Sequence, residues 1–309
     1  MAWFYKQTKS VSKMRVSLIL ATLGLRRDEL KRLFDSLQSQ TYKNFELIIV
    51  DQRGGDDVKI LVKEYESFLS INHIVVNSKG LSKARNIGLD VAKGDILAFP
   101  DDDCWYPKDL LERVVSFFKS NPGIFGLSGV TKLPSGEVVV GRFDKTAGFV
   151  SKYNVWHRVT SAALFLRREV VSHVGYFDQD LGLGANTPWQ SSEDIDYPLR
   201  IINNGFKIFF DPNLVVYHPD VKLYDNMHRA YYYAQGMGRV LKKHNYPFWF
   251  VGYYLLRPIV GIVFAIFRRD KMLVKYYSQV FWGRVRGFGR CFSDNSVEFS
   301  QQSVNQKNE

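Results

Sequence analysis

Between residues 15 and 99 four short apolar runs alternate with three amphipathic ones, and no other feature of the chain limits its fold so tightly. The runs at 15–21, 45–50, 73–76 and 95–99 predict strands. The first, Arg15-Val16-Ser17-Leu18-Ile19-Leu20-Ala21, is nearly continuous in apolar residues, as in a parallel sheet covered on both faces. The intervening segments have helical spacing. Asp28 is expected to cap the first helix, with Leu30, Leu33, Phe34 and Leu37 on its buried face. The second spans 58–69, and the third spans 80–92 with Leu81, Ala84, Ile87 and Val91 three or four apart. Strands and helices alternating across short connections imply an α/β fold, an open and mostly parallel sheet with helices on both faces and right-handed crossovers. Ligands of such sheets bind beyond the carboxyl ends of the strands. Thr22, Asp51 and Asp101-Asp102-Asp103 all fall at predicted carboxyl ends.

The acidic triplet follows the buried-type run Ile96-Leu97-Ala98-Phe99. Three adjacent carboxylates repel one another, and a hard divalent cation that also carries phosphate oxygens is a natural counter-charge. The plain alternative is a loop with an acidic helix cap ahead of Pro107.

Beyond the triplet a helix is expected from Pro107 to Lys119. Strands are expected at 124–131 and 137–143, joined at Pro134-Ser135-Gly136, and again at 161–166, 206–210 and 214–217. Leu181-Gly182-Leu183-Gly184-Ala185-Asn186 is a glycine-rich loop before Trp189, which reads as an exposed residue of a mobile site wall. Glu193-Asp194 then opens a helix. With Ser191 it resembles a capping box, while a carboxylate at that place can also act as a general base. His218 closes the last strand. It is either a satisfied strand-end histidine or a ligand for a metal such as manganese.

Charge divides the chain. Residues 221–290 hold 13 Lys and Arg against 2 acids, leaving 29 basic and 29 acidic residues elsewhere and a net charge of +11 overall. Tyr246 to Phe267 carries a single charge, Arg257, within 22 residues, and Arg268, Arg269, Lys271, Lys275, Arg284, Arg286 and Arg290 follow. About 20 apolar residues suffice to span a bilayer, but Arg257-Pro258 in the middle favours a segment lying in an anionic leaflet. The organisation expected is an extension at 1–14, a catalytic domain at 15–220, a basic membrane-associating helical region at 221–290 and a polar tail at 291–309, with Trp282 to Gly289 also poorly ordered. Two cysteines, Cys104 and Cys291, give no disulfide framework, which favours a reducing compartment. The first 13 residues lack the apolar run of a signal peptide.

The order of these features resembles the inverting glycosyltransferases of family 2, which have the GT-A fold. The residues that carry the resemblance are the strand at Val16–Ala21, Asp51, Gly80-Leu81-Ser82-Lys83-Ala84-Arg85-Asn86-Ile87-Gly88, the acidic triplet, Glu193-Asp194 and His218, across residues 15–220. The resemblance implies transfer of one sugar from a nucleotide-sugar, with a UDP-sugar expected, to a hydroxyl of a glycan or lipid-linked saccharide. It implies Mn²⁺ or Mg²⁺ held by Asp103 as the direct ligand, with His218 and Asp101 completing the metal site. It places Thr22, Asp51, Arg85, Asp101 and Asp102 at the donor, Asp194 with Glu193 as the catalytic base, and Trp189 on the acceptor side. The Gln-x-x-Arg-Trp signature of processive members is missing from the sequence, which argues for single additions. The expected location is the cytoplasmic face of a membrane. A nucleotidyltransferase would need a better phosphate loop than Gly24-Leu25-Arg26-Arg27. A membrane-bound scaffold would not need Asp103, Asp194 and His218 together. A nucleic-acid partner is not expected, because the basic residues are interleaved with so many apolar ones.

Overall fold

The computed structural model describes residues 13–138, 143–220 and 227–289, with the side chain of His228 left aside. The first half follows the predicted alternation: β1 (Val16–Thr22), α1 (Arg27–Gln38), β2 (Phe45–Asp51), α2 (Asp56–Tyr65), β3 (Ile71–Val75), α3 (Leu81–Val91) and β4 (Ile96–Ala98). Then come α4 (Leu110–Ser120), β5 (Gly126–Lys132), β6 (Gly148–Phe149), β7 (Leu164–Arg167), α5 (Glu169–Val174), α6 (Glu193–Asn203) and β8 (Ile208–Tyr217). The eight strands form one sheet in the order β3-β2-β1-β4-β7-β5-β8-β6. The β3, β2, β1 and β4 neighbours are parallel, β7 runs antiparallel to both β4 and β5, and β8 is parallel to β5. Two reversals restore direction, so β5 and β8 end on the same edge as β1, β2 and β4.

Alternating side chains face two core layers. Val16, Leu18 and Leu20 of β1 pack with α1, α2 and α4, while Ile19 packs with the layer that includes α3 and α6. Gly88 explains how closely α3 can lie on the sheet, since a Cβ there would come within 2.3 Å of the Ile19 side chain.

Several expectations need correction. The N-cap position of α1 is Arg26, and Asp28 lies inside the first turn, where a negative charge still suits the helix dipole. The two short strands expected at 206–217 are one strand, β8. Its pairing shifts between Ser128 and Val130, and Gly129 lets the Leu214 carbonyl approach to where a Cβ would sit at 2.1 Å. The helix expected from Pro107 begins at Leu110. Of the strand expected at 137–143, residues 139–142 lie outside the described residues, and β6 forms the sheet edge instead.

Three helices follow the sheet: α7 (Met227–Lys243), α8 (Phe248–Phe267) and α9 (Lys271–Gly289). Trp282 to Gly289, expected to be poorly ordered, is the end of α9 and packs backbone to backbone on α7. A Cβ on Gly287 would lie 2.1 Å from the Gln235 carbonyl oxygen, and one on Gly238 would lie 2.3 Å from that of Arg284. Glycines spaced four apart, Gly283 and Gly287, present one bare face to α7. Pro258 does not interrupt α8, and both it and Tyr254 are buried.

α7 is also fastened to α6 by charge. The buried Asp196 carboxylate meets Lys243 Nζ at 2.7 Å, His244 Nε2 at 2.8 Å and Arg200 Nε at 3.0 Å. Burial works to raise its pKa, but the surrounding His244, Lys243 and Arg200 hold it down at about 2, against an ordinary 3.8. A depressed carboxylate adds stability above its unfolded pKa and loses it as pH falls through the folded one. Asp196→Asn is therefore expected to cost roughly 2–4 kcal/mol in denaturant unfolding at pH 7. The gap to the wild type should narrow between about pH 4 and pH 2, and a gap independent of pH would show that the charge is not what holds the helices.

Candidate active site

The carboxyl edge of the sheet collects the polar residues singled out in the sequence. Thr22 and Asp51 stand opposite each other at the ends of β1 and β2. β4 leads through Phe99-Pro100 to the triplet. An antiparallel bridge between Trp105 and Tyr217, with hydrogen bonds of 3.0 and 2.9 Å, ties the triplet loop to the end of β8. That bridge brings His218 to Asp103, with Nε2 3.2 Å from Oδ1. Burial opposes both charges, yet their pairing prevails, lowering the pKa of Asp103 and raising that of His218.

Each acid of the triplet has a different partner. Asp101 accepts from Arg85 at 3.2 Å. Asp102 accepts from the Thr22 hydroxyl at 2.8 Å. Asp103 is flanked by His218 and by Arg26, whose guanidinium touches it directly. Burial raises the pKa of Asp101 and of Asp102, with Arg85 and Thr22 respectively working against it.

Arg85 joins the triplet to the second acidic motif. It lies 1 % exposed on α3, donating to Glu193 at 3.1 Å and to Ser161 at 3.0 Å besides Asp101. Its guanidinium also lies over the rings of Phe99 and Phe177. Glu193 is buried in this pairing, while Asp194 stays partly open. Burial first and the neighbouring Glu193 carboxylate second push the Asp194 pKa upward, against the pull of Arg85. The capping-box alternative does not hold: the N-cap of α6 is Ser192 in a left-handed conformation, without a side-chain cap, and the Ser191 hydroxyl donates to the Tyr233 carbonyl instead.

Asp51 is wholly buried. Its Oδ1 accepts from the backbone N–H of Arg53 and Gly54 at 3.0 and 2.9 Å, and Oδ2 faces His73 at 3.3 Å. The carboxylate thereby shapes the loop after β2. Trp189 is also wholly buried, contrary to its expected exposure, with the Arg239 guanidinium 4.5 Å from its ring centre. The glycine-rich loop is anchored to α3: the Leu81 N–H donates to the Leu183 carbonyl at 2.8 Å, and the Ser82 hydroxyl donates to that of Leu181 at 2.6 Å. An aromatic next to glycines is exposed only if nothing packs over it, and here α7 supplies the cover.

Arg26, Ser161 and Tyr233 belong to the site without having been singled out as site residues. Arg26 had a signal in Gly24-Leu25-Arg26-Arg27 behind the first strand. Tyr233 had none, because only the folding of α7 over the cleft brings it within the field of Glu193 and Arg26.

Among the described residues no three carboxylate, imidazole or thiol groups converge as a cation site. Asp103 and His218 form a two-group pair. The His218 Nδ1 lies 2.9 Å from the Pro219 carbonyl, which leaves Nε2 as the nitrogen that faces Asp103. Two protein ligands suit a cation whose remaining ligands are phosphate oxygens and water.

Comparison with known proteins agrees with this geometry. Residues 17–175 match the family described as Glycosyl transferase family 2. Glycosyltransferase AglE of Haloferax volcanii is 26% identical over 200 residues, 62% of this chain and 63% of its own length, so the chain spans less than two thirds of that relative. WfaP of Escherichia coli, a UDP-Glc:α-D-GlcNAc-diphosphoundecaprenol β-1,3-glucosyltransferase, is 26% identical over 196 residues, 62% of this chain and 72% of its own. Among solved structures, the mannosyltransferase PcManGT of Pyrobaculum calidifontis, in complex with GDP-Man and Mn²⁺, superposes with a TM-score of 0.67 at 17% identity, covering 90% of this chain and 88% of that one. TarS 1-349 of S. aureus with UDP-GlcNAc gives 0.58 at 18% identity, covering 89% and 92%. The α/β architecture is that of the GT-A fold, and with the matched family covering more than half of its residues the chain belongs to the family 2 glycosyltransferases.

Proposed function

We propose that the protein transfers one sugar from a UDP-sugar to a hydroxyl of a lipid-linked saccharide, with inversion and with Asp194 as the general base. The observation that carries this reading is the joining of two acidic motifs through the buried Arg85, with Asp103 and His218 paired on one side and Asp194 on the other. In this reading Thr22 and Asp102 orient the donor, and the loop ordered by Asp51 covers the nucleobase. Arg85 fixes the distance between donor and base. Asp103 and His218 would hold Mn²⁺ or Mg²⁺, which when bound stabilises negative charge on the leaving diphosphate. Asp194 takes the proton of the acceptor hydroxyl as that oxygen attacks the anomeric carbon and the bond to the diphosphate breaks. The WfaP name, with its diphosphoundecaprenol acceptor, supports a lipid-linked acceptor here.

Burial raises the pKa of Asp194 to about 7, so its charged form is depleted as pH falls through neutrality. The acid limb of the pH–rate profile for transfer is expected near neutral pH rather than near the ~4 of a free carboxylate. Asp194→Asn should lower kcat by roughly 10²-fold or more while keeping nucleotide affinity. Metal-dependent release of nucleotide from a panel of UDP- and GDP-sugars, lost with Asp103→Ala, tests the reaction class. Unchanged kcat in Asp194→Asn would remove it as the base.

The same reading attaches the enzyme to the cytoplasmic face of an anionic membrane through α8. This is the one helix among the described residues that is long and apolar enough to cross a bilayer, with 20 residues and a mean hydropathy of 1.9. One face is committed to protein: Tyr254 packs on Trp156, and Phe250 stacks on Tyr246. The other exposes Phe248, Trp249, Leu256, Val260, Phe264 and Phe267, with Arg257, Arg268 and Arg269 at its borders. A helix bound along one side lies in the leaflet more readily than across it. Val260→Glu with Phe264→Glu, both at exposed positions, should cut co-sedimentation with vesicles containing phosphatidylglycerol by about tenfold without altering the melting temperature. Undiminished sedimentation would rule out this face.

A further inference from the structure

The carboxylate triplet already has a cation of its own. Gly24, in the left-handed region at φ 67°, turns the chain after β1, and its N–H donates to the Thr22 hydroxyl at 2.9 Å. Two residues later Arg26 stands at the N-cap of α1 and extends back over the triplet. Its NH1 touches Asp103 Oδ2 and lies 3.5 Å from Asp102 Oδ1. His218 faces the other oxygen of Asp103, so both are engaged. The Arg26 side chain is 46% exposed, whereas that of Asp103 is 13% exposed. The guanidinium therefore covers the triplet from the solvent side, along the approach that a ligand would take.

A divalent ion cannot bind Asp103 while a guanidinium holds the same oxygen, because the two like charges repel at contact distance. Arg26 must leave when the ion enters. Among the described residues the ion pairs of Arg26 are to Asp102 and Asp103 alone, and the adjacent Arg27 pairs with Asp57 at 3.4 Å. The anion that arrives with the ion is the diphosphate, and it would lie beside the N-terminus of α1, where Arg26 is rooted.

We propose that Arg26 is a displaceable internal counter-ion. It closes the triplet in the empty protein, is expelled by the divalent cation, and re-pairs with the diphosphate oxygens. The proposal rests on the metal-site reading above. It makes the metal and the diphosphate bind cooperatively, since each removes the obstacle or supplies the partner that the other needs. Arg26 thus acts as a specificity element that keeps Asp103 from binding a cation unaccompanied by nucleotide.

The test uses the full chain and Mn²⁺ alone, followed by water-proton relaxation, which reads sites into the millimolar range. Arg26→Gln is expected to bind Mn²⁺ about tenfold more tightly than the wild type, and Arg27→Gln, with the same change in net charge, within about twofold. With Mn²⁺ saturating, Arg26→Gln should bind the tighter of UDP and GDP about tenfold more weakly, by titration calorimetry. Equal Mn²⁺ affinity in Arg26→Gln and wild type, equal tightening in Arg27→Gln, no Mn²⁺ binding by either protein, or an unchanged nucleotide affinity would each overturn the proposal. Asp103→Asn separates the two layers of the argument. If it abolishes Mn²⁺ binding while Arg26→Gln is silent, the role of Arg26 falls and the metal site stands. If Mn²⁺ binding survives it, the metal site falls and takes this proposal with it.

Discussion

The site depends on one buried guanidinium. Arg85 holds Asp101 and Glu193, which are 92 positions apart in sequence, and it is itself 1% exposed. Breaking the buried Arg85–Glu193 pair by removing one partner leaves an uncompensated charge, at a cost of about 3–5 kcal/mol. A neutral replacement of the whole set could pack as well, so stability alone does not explain the arrangement. What the charges add is direction. A planar guanidinium fixes both carboxylates in its plane and sets the relation between the triplet loop and the start of α6. Phe99 and Phe177, beneath the guanidinium, leave it little room to reorient.

The C-terminal helices are part of the same construction. α7 touches the segment before α6 at Gly236, where a Cβ would come within 2.4 Å of the Ser191 carbonyl oxygen, and Lys243 and His244 hold Asp196 of α6. α9 is packed on the other side of α7, and α8 is packed on α9 and on the loop containing Trp156. The exposed apolar face of α8 is thereby connected to α6 by packed backbone and buried ion pairs.

The parallel half of the sheet was legible because each strand is an uninterrupted apolar run and each helix has one apolar face. The residues at the carboxyl edge were legible for the same reason: once β1, β2 and β4 are parallel, Thr22, Asp51 and the triplet must share an edge. Legibility ended where contact is made between distant segments. β8 was divided in two because Asp211-Pro212-Asn213 separates its apolar runs, and only Gly129 on the neighbouring strand shows how the sheet accommodates the irregularity. Trp189 looked exposed because its own surroundings in sequence are polar and glycine-rich, while its cover comes from Arg239 on α7. The end of α9 looked disordered because glycines weaken an isolated helix, yet those glycines are what admit α7. Arg26 was visible as a residue and invisible as a partner of Asp103.

Asp194 and Asp196 show how little of a carboxylate's behaviour is local. They are two positions apart on α6, which turns them by about 200° around the helix axis. Asp194 lies next to Glu193 at the start of α6, where burial and a like charge raise its pKa. Asp196 faces α7, where His244 and Lys243, with Arg200 of its own helix, keep it ionised below ordinary acidity. One helix thus carries a carboxylate whose pKa is raised and another that keeps its charge near neutral pH. Environments that push two like groups apart are what allow them different roles. The two are mechanically linked: by fixing α6 against α7, Asp196 holds the first turn of α6, and with it Asp194, beside Arg85. The opposed pKa values therefore belong to a single arrangement, in which the carboxylate that joins α6 to α7 and the one whose charge is kept costly beside Glu193 share one helix.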